Sequence, residues 1–260
     1  MTLIELIFYS FTQGITEFLP ISSSAHLLIV EKILHWDISG RTMAISAHLG
    51  SLIAVFLYLK KEIFIITINI NKNYNFKFII NLTIITFPIL IVGLLIFKNL
   101  DNILLTINII AYSSIIGGLL LFVFDKFEEN KKKTINNISY IEALIIGLFQ
   151  IFSLIPGASR AGTIITAARL FKLNRIESAK LGLYTGIPTI SGAAILESMW
   201  LISEFKKIEI VSILIVIIFS ALFAYISIKL MLRWLYNKSY LPFIIYRIFL
   251  GLTILLFINN

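Results

Sequence analysis

Residues 13–26 read QGITEFLPISSSAH: a carboxamide, a carboxylate, a proline, three serines and a histidine set inside a chain dominated by Ile, Leu and Phe. A helix that reaches Phe18 cannot run smoothly through Pro20, because the ring disfavours helical geometry at the preceding residue and removes an N–H from the ladder. Serines favour helix N-caps, so the pattern predicts a short helix, a break at Pro20-Ile21-Ser22-Ser23-Ser24, and a second short helix. Around this stretch, 58% hydrophobic residues, 14% charged residues and a mean hydropathy of +0.95 over 260 residues are too apolar for a soluble domain. Several runs reach the roughly 20 apolar residues that a spanning helix needs, and they lack the alternation of a barrel strand. The expectation is an all-α integral membrane protein.

Six stretches, near 42–60, 76–97, 103–124, 176–203, 208–236 and 240–258, are predicted to cross the bilayer. Segments 2–35 and 139–171 are interrupted instead, the second at Pro156-Gly157-Ala158-Ser159, and each reads as a re-entrant helical hairpin. Non-helical backbone at membrane depth survives only where protein or a water-filled cavity satisfies it, so the breaks themselves point to a polar cavity. The hairpins also resemble one another. Ile4-Glu5 and Gln13 recur 137 residues later as Ile141-Glu142 and Gln150, while Pro20 and Ser23 recur 136 later as Pro156 and Ser159. Three crossings between the copies invert the second, giving inverted-topology repeats over about 1–128 and 139–260 within one membrane domain, residues 1–260. In such folds the broken helices meet near the midplane, their half-helix N-termini facing an anion.

Charge sets the orientation. With the N-terminus outside, the cytoplasmic loops hold twelve Lys and Arg, including Lys60, Lys61, Lys126, Lys133 and Arg233, against Arg41, Lys98, Lys206 and Lys207 outside. The positive-inside bias therefore predicts both termini outside, the first hairpin opening to the exterior and the second to the cytoplasm. The net charge of +8 reads as this bias and not as a nucleic-acid surface. Segment 125–138 reads as a solvated connector between the repeats. The first segment lacks a basic n-region and a small-residue cleavage site, so it is not expected to be a cleaved signal peptide. The absence of cysteine excludes disulfides, thiolate metal sites and a cysteine nucleophile.

Gln13 and Glu17, four residues apart, share a helix face, as do Ser22, Ser23 and His26 beyond the break. Hydroxyls, an imidazole, a carboxylate and unpaired helix-start N–H groups favour an anion, with or without a divalent cation, for which Glu17, alone or with Gln13, is the candidate ligand. Arg160, after Ser159 in the second break, adds a planar fork for phosphate oxygens. Close packing or capping accounts for Ser24, Ala25, Gly162 and Thr163. It does not account for Glu17 and Arg160, because a charge at the bilayer centre costs about 2.5–3.5 kcal/mol or more. A purely structural Glu17–Arg160 pair is the competing reading. His35, beside Trp36, and His48, on a long apolar span, read as structural, whereas Lys180 and Arg247 are candidate additions to the anionic pocket.

QGITEFLPISSSAH and LIPGASRAGT, in this order, resemble the (E/Q)GxTEFLPxSSxxH and PGxSRSG signatures of the undecaprenyl-diphosphatases of the bacitracin-resistance type, and the resemblance runs over essentially the whole chain. It implies removal of the terminal phosphate from undecaprenyl diphosphate at the outer face of the cytoplasmic membrane, returning the carrier to cell-wall synthesis. It also implies Mg or Ca as cofactor, and it admits a homodimer. Carried over, Gln13 and Glu17 fall at the acidic pair, Ser22, Ser23 and His26 at the serine and histidine positions, and Ser159 and Arg160 in the second motif. Gln13 stands where Glu also occurs, and Ala161 replaces a common Ser, so that hydroxyl is dispensable here. Ser23 is the candidate nucleophile, with His26 or Glu17 as its base. In the competing version one of these activates water and Ser23 only binds phosphate. The rival class is a transporter, whose broken helices bind anions without chemistry.

Overall fold

The computed structural model describes residues 2–34, 40–70, 72–96, 106–130, 133–201 and 210–258. His35, Trp36 and the loop residues Lys98, Lys131, Lys132, Lys206 and Lys207 fall outside the described residues. Ten α-helices appear among those described: α1 Leu3–Glu17, α2 Ser23–Leu34, α3 Gly40–Ile68, α4 Asn73–Ile96, α5 Ile107–Asp125, α6 Tyr140–Ile151, α7 Arg160–Leu170, α8 Arg175–Leu201, α9 Ile210–Leu235 and α10 Leu241–Thr253. The described residues contain no strand.

Three helices, α4, α5 and α9, are long and apolar enough to cross a membrane. Helices α3 and α8 are longer than α5 but carry His48, Lys60, Lys61 and Glu62, and Glu177, Lys180 and Glu197, while α10 spans 13 residues before a π-turn, Ile254–Ile258. The all-helical membrane architecture agrees with the sequence. Length and composition alone thus single out half of the six expected crossings.

Both interruptions fall where proline and serine placed them. Helix α1 ends at Glu17 and α2 begins at Ser23; α6 ends at Ile151, a 3₁₀ turn covers Phe152–Leu154, and α7 begins at Arg160. The two broken segments also start alike. At Thr2 and at Ser139 a hydroxyl accepts the N–H of the third helical residue, Glu5 or Glu142, and that glutamate's carboxylate accepts the cap's own N–H. These reciprocal bonds satisfy two orphan donors at each start. They also assign Glu5 and Glu142 to capping.

Helix α1 lies along α9 much as α6 lies along α4. Each contact depends on a glycine. A Cβ on Gly14 would stand 2.8 Å from the Ser220 carbonyl of α9, and one on Gly147 2.7 Å from the Ile85 carbonyl of α4. Helix α7 is enclosed by α5, α6 and α8, with Ile164, Ile165, Ala167 and Ala168 fully buried. At its far end the fully buried Arg169 donates to the carbonyls of Phe127 (2.7 Å), Asp125 (3.0 Å) and Leu173. Arg175 pairs with Asp125 at 2.7 Å, and Asp125 also accepts from the Tyr240 N–H. This anchor lies roughly 14 Å from Arg160 by the helical rise, so the rigid rod α7 carries its first residue at a fixed depth.

Most described residues of the connector are exposed, and a few anchor it to the bundle. Ile135 and Ile138 are buried, the Ile138 carbonyl accepts from Asn81, and the Ile135 N–H donates to Glu177. The described part of segment 125–138 is thus a largely solvated link tied to the bundle at Asp125, Glu129, Ile135 and Ile138.

Candidate active site

Glu17 is the last residue of α1, 7% exposed, and three donors converge on its carboxylate. Ser23, first in α2, donates its hydroxyl to Oε2 at 2.7 Å; Gln13, one turn back on α1, donates Nε2 to the same oxygen at 2.9 Å. Arg160, first in α7, donates Nη2 to Oε1 at 3.1 Å. Its Nη1 bonds the Gly182 carbonyl of α8 at 3.1 Å, and its guanidinium lies 5.6 Å above the Phe18 ring. A side chain at Gly186 would invade this seat, since a Cβ there would stand 2.6 Å from Nη1. The charged partners satisfy one another, as burial requires.

Serines shape both breaks. Ser22 and Ser159 adopt φ of 72° and 68°, a region that costs a non-glycine residue about 1–3 kcal/mol. Each hydroxyl caps the helix that follows: Ser159 accepts from the Gly162 N–H at 3.1 Å and Ser22 from the Ala25 N–H at 3.4 Å. The counterpart of Ser159 is thus Ser22, at the same offset of 137 as the two glutamates and glutamines, and the expected pairing with Ser23 is corrected. Ser23 then corresponds to Arg160. Both stand first in their half-helices and both reach Glu17.

These groups open onto a cavity of about 370 Å³. Its polar end holds Glu17, Ser22, Ser23, Ser24, Ser159 and Arg160; Ile89, Leu90 and Gly93 of α4 and Ile190, Ala193 and Leu196 of α8 form an apolar wall. Glu197 lines the same space.

Several residues stand where the sequence did not put them. His48 lines the cavity, its Nε2 3.8 Å from Glu17 Oε2, so it is part of the site and not merely structural. Its apolar neighbours on α3 hid it. Ser24 lines the cavity beside Ser22, 3.1 Å between hydroxyls. Lys180 pairs with Glu62 at 2.7 Å and does not line the cavity. Arg247, fully buried, bonds the carbonyls of Ala158 and Gly157 in the second break. His26 is not brought to Glu17. Its Nδ1 lies 2.6 Å from the Ser22 carbonyl and its Nε2 2.5 Å from the Tyr246 hydroxyl. Sequence reasoning missed the cavity wall; the signal that could have found it is Pro88 and Pro188, prolines inside otherwise regular helices immediately before the lining residues.

The family described as bacitracin resistance protein BacA matches residues 6–253. The chain belongs to this family. It is 40% identical over 260 residues to an undecaprenyl-diphosphatase of Pelagibacter ubique, covering 99% of this chain and 98% of the relative. It is 35% identical to one of Alteromonas mediterranea, covering 99% of each, and 36% identical to one of Geotalea daltonii, covering 100% of this chain and 99% of that protein. The matched BacA region includes every residue that converges on Glu17.

The donor set accommodates the cation that the resemblance implies. Among the described residues no three His, Cys, Asp or Glu cluster into a metal cage. The buried Gln13 Oε1, however, has no hydrogen-bond partner among the described residues and sits one turn from the Glu17 carboxylate. One carboxylate and one amide oxygen, completed by phosphate oxygens, suit Mg or Ca.

Proposed function

We propose that this chain hydrolyses undecaprenyl diphosphate to undecaprenyl phosphate and inorganic phosphate, recycling the lipid carrier for cell-wall synthesis and so giving bacitracin resistance. Family membership and the full-length relatives support the reaction. The observation that carries the reading at this site is one carboxylate receiving both a serine hydroxyl and a guanidinium inside a half-apolar cavity.

Arg160 uses two of its five N–H donors on Glu17 and Gly182, leaving others for the terminal phosphate. The starts of α2 and α7 face the same anion. Ser23 Oγ attacks the terminal phosphorus while its proton passes to Glu17 Oε2, 2.7 Å away. The bond from that phosphorus to the bridging oxygen breaks, and undecaprenyl phosphate leaves with the electron pair. Glu17 passes that proton to the departing monophosphate; water then attacks the phosphoserine and loses a proton to Glu17, which returns it to Ser23 Oγ as the bond to phosphorus breaks and phosphate is released. Glu17 and Gln13 would hold a divalent cation, whose chemistry is to neutralise charge developing on the diphosphate. The prenyl chain lies along the apolar wall between α4 and α8.

In this reading α3, α4, α5, α8, α9 and α10 cross the inner membrane, and α1–α2 and α6–α7 re-enter from opposite faces as inverted repeats. Both termini lie outside and the site opens to the outer face. The shared frame of the two breaks and the Lys and Arg bias support this topology. Because the chain has no cysteine, single introduced cysteines read sidedness directly by impermeant labelling.

The test is phosphate release from undecaprenyl diphosphate by purified protein, with Glu17→Ala and Arg160→Ala alongside. Both variants are expected to be inactive; full activity in both removes this site. A chelator is expected to abolish turnover and added Mg or Ca to restore it. Single-turnover trapping of a phosphoserine at Ser23 separates the covalent route from direct attack by water.

A further inference from the structure

We propose that Tyr246 and Arg247, adjacent on α10, are positioning residues that hold the two helix breaks in place at the site, Tyr246 acting through His26. The proposal rests on the reading that Ser23 and Arg160 act on the phosphate.

The hydrogen bonds of His26 fix its role. The Ser22 carbonyl can only accept, so Nδ1, at 2.6 Å, carries the ring proton. Nε2 is then the acceptor, and the Tyr246 hydroxyl donates to it at 2.5 Å. The two rings are nearly parallel, 5° apart with centroids at 5.5 Å. With both nitrogens occupied, His26 offers no lone pair to the Ser23 proton. What it grips is the carbonyl of Ser22, the residue held at φ 72° immediately before Ser23. The direction in which Ser23 leaves that corner determines whether its hydroxyl meets Glu17.

Arg247, the next residue, does the corresponding work at the second break. Its Nη2 bonds the carbonyls of Ala158 at 2.8 Å and Gly157 at 3.1 Å, just ahead of Ser159 at φ 68° and Arg160. The guanidinium is received between two glycines: a Cβ on Gly117 of α5 would stand 2.1 Å from Nη2, and one on Gly162 of α7 2.7 Å from Nη1. Successive residues on a helix point about 100° apart. One turn of α10 therefore reaches the serine corner with one side chain and the arginine corner with the next.

The alternative is that His26 is a general base in its own right, and amide substitution separates the two. Purified full-length protein is assayed for phosphate release from undecaprenyl diphosphate as wild type, Tyr246→Phe, His26→Ala, His26→Gln and the Tyr246→Phe/His26→Ala double variant. Positioning predicts that Tyr246→Phe lowers kcat about tenfold with KM little changed, since misplacing a reacting group acts on the chemical step. The double variant should be no slower than His26→Ala. His26→Gln, whose oxygen can accept from Tyr246 but cannot take a serine proton, should run several-fold faster than His26→Ala. Wild-type kcat in Tyr246→Phe overturns the proposal, as does an equal loss of about 10²–10⁴-fold in His26→Gln and His26→Ala, the mark of a lost base.

For the second grip, Gly117→Ala displaces the Arg247 guanidinium without removing its charge, and it is expected to raise KM because Arg160 binds the phosphate. Unchanged KM and kcat would remove Arg247 from the proposal. Ser23→Ala distinguishes the levels of failure: inactive Ser23→Ala beside wild-type Tyr246→Phe sinks positioning alone, whereas active Ser23→Ala sinks the site reading beneath it.

Discussion

The two broken helices share a frame and divide the chemistry. Each begins with a capping box, carries a fully buried glutamine, and turns through a serine at positive φ that caps the next helix. The side chains at matching positions then diverge. Where the first segment has Glu17 the second has Leu154, and where the first has Ser23 the second has Arg160. The Gln13 amide donates to Glu17, while the Gln150 amide, with no carboxylate one turn on, has no side-chain hydrogen bond among the described residues. A common backbone thus supplies two helix starts aimed at one cavity, and the asymmetry supplies a carboxylate and a serine hydroxyl on one side and a fixed cation on the other.

Breaking the acidic side should cost most. Glu17→Gln keeps the volume but removes both the proposed base and the counter-charge of Arg160, so kcat is expected to fall about 10³-fold in phosphate-release assays. Moving the acid across, as Glu17→Leu with Leu154→Glu, should not restore it, because no serine stands at position 160. Restored turnover would mean that the two sides are interchangeable.

The cationic side comes next. Arg160→Lys keeps a charge but loses the fork that bonds Glu17 and Gly182 together, and a loss of about 10²-fold is expected. Gly186→Leu should give a milder loss of about tenfold by pushing the same guanidinium off its seat. If Gly186→Leu were silent, the glycine seat would not be what fixes Arg160. Gln13→Leu removes one of three donors to Glu17, a charge-assisted bond of about 1.5–3 kcal/mol, and a fall of about tenfold in kcat/KM is expected.

What could be read from sequence follows from chain distance. Pro20, Pro156 and the serines act on their own backbone, so both breaks were legible, and the i,i+4 spacing of Gln13 and Glu17 was enough to put them on one face. The Glu17–Arg160 contact spans 143 residues and was reachable only through the duplication and the cost of charge in lipid. His48 carried no such signal, because a lone histidine on an apolar helix looks the same whether it faces a cavity or a neighbour. For His26 the sequence showed one half of its surroundings. Its motif spacing is local, but the group that occupies its Nε2 is Tyr246, 220 residues away. Lys180 and Arg247 read alike as buried cations, and only packing assigns one to Glu62 and the other to backbone carbonyls.

The smallest expected effects test the shared frame itself. Glu5 and Glu142 close equivalent capping boxes, but Glu142 also accepts from Lys133, half-buried beside it, whereas Glu5 has no lysine or arginine partner among the described residues. Losing the reciprocal bond of a cap costs about 0.5–2 kcal/mol, and a partly exposed ion pair adds about 0.2–1 kcal/mol. Glu142→Ala should therefore lower the thermal unfolding midpoint in detergent slightly more than Glu5→Ala, with phosphate release unchanged in both, because neither carboxylate lines the cavity. Lys133→Ala should account for the difference between them. If Glu5→Ala instead slowed turnover as much as Gln13→Leu, the start of α1 would be coupled to Glu17 along the helix, and the capping boxes could no longer be treated as scaffold separate from the chemistry.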